Sequence, residues 1–376
     1  MKQTGMLVFG LLAVIGMLIG CAPAAPPEEP EVAPEEAEVQ PQEVTWNCAT
    51  SKEGSSGYGA NLATARVITE CVPGLTYVSV PTAGSVASCQ LFGKGSGEVQ
   101  ACYPSTADMY SIYRKLDPYQ EIKWLPYQAF WVGTADLFLI TKKDRTDINC
   151  LGDLAGKKFF AMGRGTSIHA LWKMALTHLG IWDDITIRDM GAMDAADALD
   201  LGTIDAVGGY TSIRILPPSW IRNIDARQDI KVVVPTEEER AAISELPFAC
   251  GWDETGSQAA AFSQPVDKIW SFSCAFGEQF SPDCDPELVY LMMKALDENT
   301  GELVKMAPVF IMWQNMGAGP ACAMGISANP DIPVHPGVAK WLKEKGLWNE
   351  DWVVGEYIEL SPEGMDKVWE LYGKAE

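Results

Sequence analysis

Short apolar runs, separated by polar and glycine-rich turns, divide most of the chain into alternating strand and helix signals. Val44–Thr50 reads as a strand, and a Gly/Ser turn at Gly54–Gly57 leads into a helical pattern that runs to about Cys71. Leu75–Pro81 predicts a second strand, Ala83–Gly93 a short helix and Val99–Tyr103 a third strand. Further strands are predicted at Ala135–Thr141, Lys158–Met162, Ile185–Met190, Ile204–Gly208 and Ile230–Val234, with helices at about Thr166–Leu179 and Met193–Leu201 between them. Pro286–Asn299, His335–Lys345 and Ser361–Lys374 are helical, each with Pro or Ser near its start. Strand-helix alternation of this kind predicts an α/β fold, mixed or parallel sheets flanked by helices. No repeat at a fixed period is visible.

Three strand-to-helix junctions are rich in Gly, Ser and Thr: Gly54-Ser55-Ser56-Gly57-Tyr58-Gly59, Gly163-Arg164-Gly165-Thr166-Ser167 and Gly208-Gly209-Tyr210-Thr211-Ser212. In open α/β sheets the carboxyl ends of the strands form the binding crevice. A helix start there offers free N–H groups and a partial positive charge, which suits a carboxylate or phosphate. Ordinary Ser/Thr capping explains any one of these junctions equally well. None is a P-loop, since no Gly-Lys-Ser/Thr follows, and no Gly-x-Ser-x-Gly elbow is present. A hydrolase of that class has no nucleophile to point to.

The start of the chain reads differently. Lys2, an apolar run from Met6 to Gly20, and small residues just before Cys21 form the pattern of a lipoprotein signal over residues 1–20, with Cys21 as the lipidated residue. The run is shorter than the roughly 20 apolar residues that a spanning helix needs. Residues 21–43 then consist almost wholly of Ala, Pro, Glu and Val, a composition that self-repels and stays extended, so they read as a tether.

Composition narrows the partners. Of 376 residues, 50 are acidic and 28 basic, a net charge of −22, and the tether's glutamates account for only part of the excess. No basic face is available for nucleic acid. The three histidines, His169, His178 and His335, are not spaced as a metal-binding pair, and no metal or other cofactor is expected. Nine cysteines follow Cys21 without a Cys-x-x-Cys; an odd number leaves at least one thiol free, and the rest read as buried small side chains with one or two disulfides.

Four segments together resemble a known family. GSSGYGANLA from Gly54, PTAGSVASCQLFGKGSGEVQ from Pro81, the pair LGDLAGKKFFAMGRGTSIHALWKMALTHLGI and DAADALDLGTIDAVGGY from Leu151 and Asp194, and PVHPGVAKWLKEKGLW with His335-Pro336-Gly337 are similar to the solute-binding subunits of tripartite ATP-independent periplasmic (TRAP) transporters, in the TAXI subgroup. Ser105-Thr106-Ala107 stands where that family usually has Gln-Ser-Asp. The resemblance implies a two-lobed type II periplasmic binding protein, with residues 45–142 and 265–376 in lobe I and 143–264 in lobe II. It implies an extracytoplasmic monomer, here tethered to the membrane through its lipid anchor. Such a receptor captures a small organic anion, carboxylate or amino-acid-like, and delivers it to ion-driven TRAP membrane subunits.

The candidate ligand-binding residues are Ser55, Ser56, Gly57, Tyr58, Ser105, Thr106, Arg164, Gly165, Thr166, Ser167, Gly209 and Tyr210. Among them Arg164 could fork onto a carboxylate, and the two tyrosines could close over a ligand. No catalytic set is expected of a receptor. Two alternatives remain: an exported enzyme on the same fold, which would need an acid–base pair such as Asp108 with His169, and a ligand-binding input subunit of a sensor.

Overall fold

A computed structural model describes residues 43–246, 250–254, 261–264, 266 and 268–374, with 250–254 as backbone only. The signal, Cys21 and the tether as far as residue 42 lie outside the described residues. Strand β1 (Val44–Thr50), helix α1 (Ser56–Cys71), β2 (Leu75–Pro81), α2 (Ser85–Gly93), β3 (Ala101–Cys102) and α3 (Thr106–Tyr113) come first. Then come β4 (Tyr127–Lys142), β5 (Lys158–Phe160), α4 (Ser167–His178), β6 (Thr186–Ile187), α5 (Ala195–Asp200), β7 (Ala206–Ser212) and α6 (Ser219–Arg227). They are followed by β8 (Ile230–Val233), α7 (Glu237–Ser244), β9 (Cys250–Glu254), β10 (Ile269–Phe280) and α8 (Pro286–Glu298). Helices α9 (Thr300–Met306), α10 (Ile311–Met316), α11 (Ala318–Ser327), α12 (Pro336–Glu344) and α13 (Pro362–Tyr372) end the chain.

The strands form one mixed sheet in the order β2-β1-β3-β10-β4-β7-β5-β6, with β8 added on β4 and β9 on β10. β1 runs parallel to β2 and β3, and β5 parallel to β6 and β7, as the strand-helix alternation requires. The antiparallel pairs come from two long strands, β4 and β10, which lie side by side and hydrogen-bond to both parallel groups. Their two ends belong to different surroundings. The start of β4 and the end of β10 pack in a core with Trp46, Phe92, Trp124 and the helices after residue 286. The other ends pack with Trp172, Phe159, Trp220 and Ile224, on both faces of the sheet. The core thus has two parts, and ownership changes between Val132 and Ala135 in β4 and between Cys274 and Ala275 in β10. Both strands are buried on each face, so no change of hydrophobic period marks the point where the core changes.

Local signals explain most helix starts. Ser55, Ser105, Thr166, Thr236 and Ser361 each cap a following helix through the side-chain oxygen, and Pro286, Pro336 and Pro362 occupy first-turn positions where no N–H is needed. The charge run Glu237–Arg240 contains one residue that ties two loops together. Glu239 accepts backbone N–H groups of Gly152 at 2.6 Å and Leu151 at 3.1 Å, besides closing the capping box with Thr236. The disulfides expected are not found among the described residues. Eight cysteines are unpaired, and six of them, including Cys48, Cys89 and Cys102, are buried apolar side chains. Among the described residues no helix is long and apolar enough to cross a membrane.

Candidate functional site

The carboxyl ends of β1, β2, β3, β5 and β7 meet the midpoints of β4 and β10 around a cavity of about 230 Å³. The first part of the core contributes Ser51, Lys52, Ser55, Ser56 and Gly57 from the β1–α1 junction, Ala83, Gly84 and Ser85 from the β2–α2 junction, and Tyr103 beyond β3. The second contributes Met162, Thr166, Ser167 and Ile168 around the start of α4, and Tyr210 and Ser212 at the end of β7. Gly133, Thr134 and Ala135 of β4 and Phe276 of β10, the residues at the crossings, line it between them.

Six of the candidate residues are brought together here: Ser55, Ser56, Gly57, Thr166, Ser167 and Tyr210. The other six are placed elsewhere. Tyr58 gives its backbone N–H to Ser55 Oγ in the first turn of α1. Ser105 is buried as the cap of α3, and Thr106 Oγ1 accepts the Ala275 N–H at 3.3 Å. Gly209 faces Phe138 and Ile140 in the core. Gly165 and Arg164 border a second, larger depression between α3 and α4. Arg164 is not in the cavity at all: its side chain is 71 % exposed and lies 3.8 Å from Asp189, an exposed pair of little energetic weight.

The cavity is closed on one side by a chain of hydroxyls. Ser167 Oγ donates to Asp108 Oδ2, which leaves Ser85 Oγ as the donor to Ser167 Oγ, and Ser167 N donates to Ser85 Oγ at 3.1 Å. Asp108 also takes Ser105 N and Oγ at 2.8 Å each and Tyr119 O–H at 2.6 Å, so its carboxylate is saturated. These bonds join the starts of α2, α3 and α4. Gly84 stands where they close up: a Cβ there would lie 2.9 Å from the Gly165 carbonyl oxygen, so a larger residue would hold the two junctions apart. Lys173 and Asp117 add an exposed contact of 3.1 Å across the same seam.

His169, the other half of the acid–base pair weighed for an enzyme, borders the second depression with Asp108. Its Nδ1 is 3.0 Å from the Met162 carbonyl, so that nitrogen carries a proton, and the ring packs edge-on to Trp182. Burial holds its pKa below the ordinary value. With Asp108 occupied by four donors, its carboxylate is not free to serve as the acid or base of the pair, and His169 Nε2 is the one unprotonated site left in it. Among the described residues no cluster of His, Cys, Asp and Glu is arranged to hold a metal ion.

Sequence reasoning missed Lys52, Ser85, Tyr103, the crossing residues and Phe276. The β2–α2 junction, Thr82-Ala83-Gly84-Ser85, carries the same Gly/Ser signal as the three junctions singled out, and would have been found by it. Tyr103 and Phe276 carry no local signal.

A mixed sheet whose parallel strands end on a cavity, between two core parts joined by two long strands, defines an α/β binding fold. The chain belongs to the NMT1-like family, which matches residues 49–346. No curated protein matches the sequence. Among solved structures it is similar to the periplasmic aliphatic sulphonate binding protein SsuA from Escherichia coli, at 14% identity over 88% of this chain and 94% of that one, with a TM-score of 0.40. The alkanesulfonate-binding protein SsuA from Xanthomonas axonopodis pv. citri gives 14% over 83% and 97%, TM-score 0.40. Substrate binding domain 2 of GlnP from Lactococcus lactis gives 14% over 71% and 94%, TM-score 0.35. Likeness at this level carries no argument about ligand or partner.

Proposed function

We propose that the protein is an extracytoplasmic solute-binding receptor that captures a small organic anion, carboxylate or amino-acid-like, for a secondary transporter of the TRAP type. The observation that carries this reading is the position of the cavity. It lies where two core parts meet, and each part supplies helix starts and hydroxyls to its lining. A solute that touches both parts favours the state in which they are together by its differential affinity for that state. In this reading residues 45–142 with 265–376 build one lobe and 143–264 the other, which packs against the ends of β4 and β10. Cys21 anchors the receptor by lipid to the membrane, and residues 22–43 give it reach. It works as a monomer, and loaded receptor docks on the TRAP membrane subunits. The four motif segments that resemble the TAXI subgroup support that choice of transporter. No group transfer is required of it, and the engaged state of Asp108 supports a receptor over an enzyme.

Small-angle scattering during a screen of organic anions tests the receptor reading: a true solute reduces the radius of gyration, and a non-binding analogue leaves it unchanged. No compaction and no thermal stabilisation by any solute would defeat it. Uptake by cells that carry the membrane subunits separates transporter types, since a TRAP system stops when the ion gradient is collapsed and continues when ATP is depleted with the gradient clamped. Replacement of Cys21 by Ser should leave unprocessed precursor.

A further inference from the structure

The charges around the cavity are one-sided. Among the described residues Lys52 is the single charged one in its lining, and it forms no ion pair with another of them. Tyr103 is 3 % exposed, and its ring stands against the first turn of α1, where a Cβ on Gly57 would lie 2.9 Å from its Cε1. Its hydroxyl makes no hydrogen bond among the described residues. The residue lines the cavity with its hydroxyl unengaged, and so offers a donor to a ligand acceptor. Burial raises its pKa well above the ordinary tyrosine value, so it stays a donor.

Three carboxylates among the described residues lie close behind this wall, and each is already engaged. Asp108 holds four donors, as described. Asp136 takes Ser273 Oγ at 2.5 Å, Thr134 Oγ1 at 3.0 Å and Arg214 N at 2.7 Å. Glu278 takes Thr64 Oγ1 at 2.6 Å and Tyr77 O–H at 2.7 Å. None of the three lines the cavity. A ligand's ammonium group would therefore lose its water and find no carboxylate to replace it, with Lys52 repelling it. An anionic head, by contrast, meets donors: the Lys52 ammonium, the Tyr103 hydroxyl and the serines of the β1–α1 junction. Ala135, Met162, Ile168, Phe276 and Val309 supply an apolar remainder for a short carbon body. A cavity of about 230 Å³ has room for a charged head and a short carbon body.

Resting on the receptor reading above, we propose that the cavity selects a small organic monoanion without an ammonium group, a carboxylate or sulfonate head on a short apolar body, and rejects α-amino acids.

Matched pairs test this on the dialysed full chain by calorimetry and thermal shift: 4-methyl-2-oxopentanoate against L-leucine, pentanoate against L-norvaline, and butane-1-sulfonate as the sulfonate arm. The ammonium-free member of at least one pair should bind about ten-fold or more tightly than its amino acid. Sulfonate binding with no carboxylate binding, or the reverse, identifies the head. Lys52→Gln should weaken the bound probe about five-fold, and Tyr103→Phe about ten-fold with the unliganded melting temperature unchanged. Amino acids that bind as well as or better than their partners overturn the inference and leave the receptor reading standing. If no member of the panel binds, the inference falls, and the wider scattering screen decides whether the receptor reading falls with it. Unchanged affinity in both variants also overturns it.

Discussion

Glu278 is a carboxylate sealed inside the first part of the core, held by Thr64 and Tyr77, and burial raises its pKa from 4.5 to about 7. Between pH 4.5 and about 7 the folded protein keeps a proton that the unfolded chain has released, so this group makes stability fall as pH rises through that window. The full effect is on the order of 3 kcal/mol. Glu278→Gln should flatten the difference in urea-unfolding free energy between pH 5 and pH 8; an unchanged difference would show that the residue does not titrate there. His335 has the opposite sign. Burial lowers its pKa from 6.5 to about 3, while its Nδ1 accepts the Gly337 N–H as the cap of α12. Below pH 6.5 the unfolded chain takes a proton that the folded one refuses, so this contribution is lost as pH falls toward 3. His335→Asn keeps a capping oxygen and should be less sensitive than wild type to acid between pH 6 and pH 4, as read by circular dichroism.

At the level of elements, the His-Pro-Gly sequence becomes a piece of packing. His335 caps α12, Pro336 occupies its first turn, and Gly337 lies against α8, where a Cβ would be 2.3 Å from the Pro286 carbonyl oxygen and 2.8 Å from Tyr290 N. Both atoms are backbone and cannot swing aside. Gly337→Ala should cost about 1–3 kcal/mol, measured by chemical denaturation, with ligand affinity retained. The seam between α2 and α4 depends on polar contacts instead. Ser167→Ala removes the bond to Asp108 and the bond from Ser85, and should loosen contact between the two core parts by about 1–3 kcal/mol. A larger radius of gyration for the unliganded variant than for wild type is the expected outcome, and an identical scattering curve would count against a joining role for this hydroxyl.

At the scale of the whole molecule, the net charge is −22, whereas among the described residues the cavity lining carries one positive charge and no negative one. Local donors therefore decide what binds. A solute that binds only the folded, brought-together state stabilises it by mass action, about 2.7 kcal/mol at a hundred-fold excess over its dissociation constant. Melting temperature should rise with the logarithm of ligand concentration in step with compaction. A rise without compaction would place the solute on one core part alone.

Much was legible from order along the chain. Capping residues, turn glycines and strand-sized apolar runs are local, so β1, α1, β2, α4, α8, α12 and α13 could be read within a few residues, and six of the twelve candidate residues, all from the Gly/Ser junctions, fall on the cavity. The strands that matter most were harder. Tyr127–Lys142 showed only its second half, and Ile269–Phe280 was not read as a strand, because burial on both faces removes the alternation that identifies one. Arg164 drew notice because it sits between two glycines, yet it turns outward, while Lys52 stands in a turn that looks ordinary. The sequence by itself determined the α/β alternation, the helix caps and the supply of hydroxyls at strand ends, since each depends on neighbours in the chain. Tertiary structure alone decided which segments meet around the cavity, which carboxylates are consumed behind its wall and where the core changes hands, because those contacts join residues up to hundreds of positions apart and leave no periodic trace in any one of them.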